Sequence, residues 1–187
     1  MQWWIGDSST PPALADRLRG LGFAAPEPPT EPRLTAMALI EQPEAPAEIE
    51  VRRVETLEDY VAARELEWSA FGMPEEQRTA ARASLPELWA RVRANPWTQT
   101  FLACVDGQPA ATGLMLFAES GAALIGAATL PELRGRGAYR ALVRARWDEA
   151  VARGTPALVV QAGTMSRPIL ERLGFVAVAT IEVLVDR

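Results

Sequence analysis

The stretch "TLPELRGRGAY", Thr129–Tyr139, packs a proline, two glycines and two arginines into one short turn. An apolar run, "AALIGAATL" (122–130), leads into it. The residues after it, Tyr139, Leu142, Val143, Trp147, Ala150 and Val151, are apolar at helical spacing. A strand therefore enters the turn and a helix leaves it. The first amides of such a helix have no partner inside it and face whatever precedes them. An anion placed there gains several N–H donors and the positive end of the helix dipole, the latter worth about 0.3–1 kcal/mol. Gly135 and Gly137 permit positive φ and close backbone approach, while Arg134 and Arg136 add fork-shaped donors. These residues read as a diphosphate site. A tight turn with exposed arginines has the same composition, so the surroundings must decide between the two. A dinucleotide fingerprint would need a third glycine where Arg140 stands. Arginine-glycine RNA binders are repetitive, and this is a single copy between ordered segments.

Outward from the turn, "QTFLACV", the dipeptide Asp106-Gly107 and "QPAATGLMLFA" give a hairpin signal. Before it, "EIEVRRV" (48–54) alternates like a strand. Thr56 is placed to cap a helix over "YVAARELEWSAF", and a further helix over "PEEQRTAARASLPELWARVR" is interrupted near Pro86. The helix after the turn spans Ala138 to Arg153, with Arg140, Arg144, Arg146 and Arg153 expected on its wet side. "PALVVQA", "SRPILERLGF" and "VAVATIEVLVD" follow as strand, short helix and strand. The order is a mixed α+β pattern with a mostly antiparallel central sheet flanked by helices; it does not alternate as a doubly wound fold does.

Composition narrows the chemistry. The chain holds no histidine and one cysteine, and every basic side chain is an arginine. Histidine-based triads, histidine-ligated metals and lysine Schiff bases are therefore excluded. A net charge of −5 argues against a nucleic-acid partner. No apolar run approaches a membrane span, and the start lacks a signal-peptide layout, so a cytoplasmic protein with no membrane partner is expected. Cys104 alternates with apolar neighbours and reads as a core residue.

The strand, Pro131, "RGRGAY", the arginine-studded helix, the short buried strand and "ILERLGF" together resemble the GNAT N-acyltransferase superfamily over roughly Glu48 to Arg187. The family's turn reads Arg/Gln-x-x-Gly-x-Gly/Ala; here Arg134 and Gly137 fill the first and fourth positions, and Tyr139 departs from the sixth. The resemblance implies a GNAT-like fold and acetyl-CoA, or another acyl-CoA, as co-substrate, with no metal. It implies that the amides around Arg134, Gly135, Arg136, Gly137, Ala138 and Tyr139 hold the pyrophosphate. It also implies that Ala127 and Thr129, on a strand splayed from the next, offer backbone groups to the pantetheine arm. The amine would then attack the thioester directly.

The proton acceptor is open on sequence alone: Glu119 at the hairpin end is one candidate, and Glu65 and Glu67 are others. The family's proton-donating tyrosine falls at Leu170, and an asparagine common seven residues earlier falls at Gly163. Ser166, one turn before Leu170, offers a hydroxyl there, although capping the helix is its simpler role. Trp68, Phe71 and Met73 fall where the family builds its acceptor pocket, and core packing explains them equally well. The acceptor is expected to be a small amine, cationic if the acidic run Glu55 to Glu76 serves it. A homodimer is left open, and so is a non-catalytic acyl-CoA-binding module.

Two proline-rich stretches, "AAPEPPTEP" (24–32) and "EQPEAPAE" (41–48), read as connectors, which divides the chain into 1–47 and 48–187. The first segment echoes the last elements of the second. "WWIGDSSTPPALADRLRGLGF" (3–23) and "LVVQAGTMSRPILERLGF" (158–175) share strand, polar turn, helix and Leu-Gly-Phe ending. Residues 1–47 are expected to be a truncated strand-helix-strand copy that packs against the complete domain.

Overall fold

Local signals set the elements in the computed structural model, which describes residues 1–186. The chain runs β1 (Gln2–Gly6), α1 (Leu14–Gly20), β2 (Arg33–Leu39), β3 (Glu50–Arg53), α2 (Leu57–Ala70), α3 (Glu75–Arg82) and α4 (Leu85–Arg93). It continues with β4 (Thr98–Val105), β5 (Gln108–Ala118), β6 (Gly121–Thr129), α5 (Ala138–Ala152), β7 (Leu158–Ala162), α6 (Arg167–Arg172) and β8 (Val176–Val185). Thr56 caps α2 as expected, its Oγ1 accepting from the Asp59 amide at 3.1 Å. The second helical stretch divides just before Pro86, into α3 and α4. A single 3₁₀ turn, Pro131–Leu133, links β6 to the glycine turn. Among the described residues no helix is long and apolar enough to cross a membrane.

The chain forms two compact units, residues 40–158 and residues 1–39 with 159 onward. In the first, β6, β5, β4 and β3 are neighbours in that order, each pair antiparallel. Register places Leu102 opposite Thr112 and Thr112 opposite Ala128, so the three share a face. Leu102 and Ala128 join Tyr60, Ala63, Leu66 and Trp68 of α2 in one core cluster. Gly113, the next residue of β5, points to the other face, where α5 packs. Arg146 of α5 does not lie on the wet side. It is fully buried, with Nε donating to the Leu142 carbonyl at 3.1 Å. Gly113 makes the room: a Cβ there would stand 2.8 Å from Arg146 Nη1.

In the second unit β8 lies between β1 and β2 and pairs antiparallel with both, with Trp4 opposite Val183 and Leu34 opposite Ile181. Segment 1–39 therefore groups with the C-terminal elements, which cuts across the division expected near residue 48. Two contacts recur in the echoing segments. The Gly6 amide donates to Ser9 Oγ at 3.0 Å, and the Gly163 amide to Ser166 Oγ at 3.1 Å. Phe23 and Phe175 each return an amide to the carbonyl of a buried leucine, Leu18 and Leu170, both at 3.1 Å.

Candidate functional site

The glycine turn holds its amides open. Gly135 has φ 77° and Gly137 φ 90°, left-handed values that cost other residues about 1–2 kcal/mol. Gly137 is the cap residue of α5 and makes no side-chain cap bond, so nothing local satisfies the head of the helix. The first helical bond closes at the Ala141 amide, which donates to the Gly137 carbonyl at 3.0 Å. Among the described residues, the amides of residues 135–140 have no protein acceptor. Around Gly135 the space is open, with nothing within 4 Å of a Cβ position. At Gly137 it is not: the approaching group there is Pro46, whose Cγ would stand 2.6 Å from a Cβ. The turn is thus open on the Gly135 side and backed by its own chain at Gly137.

The two arginines are tethered. Arg136 donates to Asp106 of the β4–β5 turn at 2.8 Å, and Arg134 Nε reaches the Thr129 carbonyl at 3.4 Å. Both side chains are exposed, so the Asp106 pair is worth little and yields readily to a stronger anion.

Upstream, β6 carries a bulge. Ala127 faces Gly113 and Ile125 faces Leu114, which leaves Gly126 as an extra, unpaired residue with φ 51°. Glu67 of α2 comes to this point, its Oε1 3.9 Å from where a Gly126 Cβ would be. Bulge and carboxylate lie upstream of the bare amides along the chain. Ala127 and Thr129 stand between the two in β6, both half-buried. The model of the acetyltransferase (GNAT) family matches residues 60–175, more than half of the chain. The chain belongs to the GNAT acetyltransferase family.

Solved structures agree with the GNAT fold. A functionally unknown conserved protein from Staphylococcus epidermidis matches with TM-score 0.71 and 12% identity, covering 98% of this chain and 70% of its own. A GCN5-related N-acetyltransferase from Kribbella flavida matches with TM-score 0.68 and 21% identity, covering 99% and 67%. A tandem GNAT protein from the clavulanic acid biosynthesis pathway gives TM-score 0.68 and 14% identity, covering 98% and 62%. At these identities the likeness carries the fold alone, and this chain spans about two thirds of those structures. No protein of curated function matches in sequence.

Tyr139, which departs from the GNAT pattern, turns its ring inward, and burial raises its phenol above the usual range beside Arg146. Burial likewise pulls the Arg146 guanidinium down. Its Nη2 finds no partner among the described residues. Tyr139, Arg146 and Gly113 form one packing unit, so Tyr139 contributes to the turn its backbone amide rather than its side chain. Ala138 is buried, its small side chain letting α5 begin against the sheet.

Of the carboxylates named from sequence, Glu67 alone among Glu65, Glu67 and Glu119 reaches the bulge. Glu65 is engaged by Arg82 through two nitrogens, one at 3.0 Å. Glu67 is paired with Arg64 and stays partly exposed. Glu119 sits in the exposed β5–β6 turn, roughly 20 Å from the bulge at strand rise. The structure does not bring it to the glycine turn. Ser166 Oγ is occupied at Gly163, whose amide it accepts. Leu170 is buried and Gly163 bears no side chain. Trp68 is a core residue at 4% exposure, Met73 packs against the same cluster, and Phe71 is 67% exposed. Cys104 is buried, which raises its thiol above the usual range.

One cavity of about 470 Å³ in this unit lies elsewhere, lined by Trp89, Arg93, Gln99 and Arg153. Arg153 is at the opposite end of α5 from the glycine turn. It is held by Glu149 at 2.8 Å and stacks on Phe117 at 3.5 Å. The feature of the candidate site that sequence reading passed over is the bulge at Gly126. A glycine inside an apolar strand is a recognised sign of a bulge or a close approach.

Proposed function

We propose that the chain is an acyl-CoA-dependent N-acyltransferase that moves an acetyl group from acetyl-CoA to a primary amine by direct attack in a ternary complex. The observation that carries this reading is the run of unpartnered amides at residues 135–140, within the stretch matched by the GNAT family. The pyrophosphate of the co-substrate would be held by those amides, with Arg134 and Arg136 adding charge once Asp106 is displaced. The pantetheine arm would pass Thr129 and Ala127, and the thioester carbonyl would meet a backbone N–H at the Gly126 bulge. A donor aimed at the developing oxyanion is worth several kcal/mol in sites of this kind, on the order of 2.7–4.

A protonated alkylamine has a pKa of about 10.4, so freeing it at pH 7 costs on the order of 4–5 kcal/mol. Glu67, beside the bulge, accepts that proton directly or through one water. The neutral nitrogen then adds to the carbonyl carbon. Collapse of the tetrahedral species breaks the carbon–sulfur bond; the nitrogen sheds its remaining extra proton to water, and water returns a proton to the departing thiolate, since Leu170 has none to give.

Calorimetric titration with acetyl-CoA tests the binding step, and absence of heat or of any thermal shift at millimolar ligand overturns the reading. Replacing Glu67 by Gln should lower kcat about a hundredfold while leaving coenzyme A affinity within twofold, because general bases contribute about 10²–10⁴. Unchanged kcat would remove Glu67 from the mechanism. Leu170 favours a second reading, a non-catalytic acyl-CoA-binding module. Acetyl-CoA consumption with any member of an amine panel would end it.

A further inference from the structure

We infer that the proline-rich segment 41–48 is a clamp that holds the glycine turn in its anion-binding shape. The inference rests on the reading of that turn as the coenzyme A site. The segment looks like a spacer in sequence, yet it is fastened to α5 at two points. Pro43 is buried, and its carbonyl accepts from Arg144 Nη1 at 3.3 Å. Pro46 is half-buried and sets its ring against Gly137, its Cγ 2.6 Å from where a Cβ would stand.

The spacing of these two contacts follows from chain geometry. In an extended proline-rich conformation, Pro43 to Pro46 spans roughly 9 Å. Gly137 to Arg144 along a helix spans roughly 10 Å. The segment therefore runs beside α5 with its prolines in step with the helix, and ends at the head of α5. Its acidic side chains Glu41, Glu44 and Glu48 stay exposed, so the contacts are made by proline rings and a backbone carbonyl.

The turn needs such support. Two glycines in the left-handed region, with no side-chain cap, leave a loop with much freedom to lose when an anion binds. Pro46 restricts Gly137 in the free protein, so less ordering remains to be done on binding. It acts through the turn rather than by touching the co-substrate, which makes Pro46 a positioning residue.

The test replaces residues 41–48 with a Gly/Ser segment of equal length and, separately, makes Pro46→Gly. Calorimetry with coenzyme A should show Kd raised about five- to tenfold in both, equivalent to about 1–1.4 kcal/mol. Thermal midpoints should stay within about 2 °C of the parent, and amide relaxation at Gly135 and Gly137 should report a looser turn without ligand. Pro46→Ala, which keeps the Cβ contact, should recover part of the affinity. A parent protein that takes no coenzyme A would sink the site reading itself. A parent that binds, with variants equal to it in affinity and turn dynamics, would sink the clamp alone. Weakened binding with a matching loss of thermal stability would also overturn it, because the segment would then support the whole unit.

Discussion

A fragment of residues 48–187 is expected to be insoluble, or to melt at least 15 °C below the full chain. In the full chain β8 is bonded on both sides, by β1 and by β2. Removing those strands exposes two rows of backbone groups and takes away Ile5, Leu18, Met37 and Leu39, all buried. Each buried apolar side chain contributes about 1.5–3 kcal/mol, an upper estimate because unfolded chains already hide some surface. Their loss is of the same order as the about 5–15 kcal/mol that holds a domain together. Differential scanning calorimetry of both proteins decides the matter. A soluble fragment with an unchanged midpoint would mean that the N-terminal strands lend β8 nothing.

Gly137→Ala is expected to abolish measurable coenzyme A binding, or to weaken it by two orders of magnitude or more, while Gly135→Ala weakens it about tenfold or less. Both positions have positive φ, so both variants carry left-handed strain of about 1–2 kcal/mol. The difference lies in the neighbours. At Gly135 a methyl group meets nothing within 4 Å, whereas at Gly137 it meets Pro46 Cγ at 2.6 Å. Forcing a methyl group into a filled site adds about 1–3 kcal/mol, and here the relief is to displace the turn that offers the amides. Titration of the two variants side by side checks the ranking. Equal losses would show that Pro46 yields freely.

The glycine turn was legible because everything that makes it is local: a strand, two glycines, two arginines and an amphipathic helix within one continuous stretch. The cap at Thr56, the Asp106-Gly107 hairpin and the break before Pro86 were legible for the same reason. Arg146 was misplaced because a helical pattern treats arginine as a surface residue, and the hole that accepts it belongs to Gly113 on a separate strand. Glu65 and Glu67 are neighbours in sequence and indistinguishable there; Arg82 claims one and the Gly126 bulge meets the other only once the helices pack. Pro46 was hidden by its composition. A proline-rich run reads as a connector, and only its fit beside α5 gives it a place in the site.

The bulge at Gly126 adds one residue to β6 without disturbing the pairing on either side of it. Excising that residue should let the ladder close evenly, Ala127 and Ile125 keeping their partners, so that the shortened chain melts no lower than the parent and still takes up coenzyme A. Acetyl transfer, however, should fall silent. Shape and chemistry are separable here by a single deletion, which would leave a well-folded, ligand-loaded and inert protein.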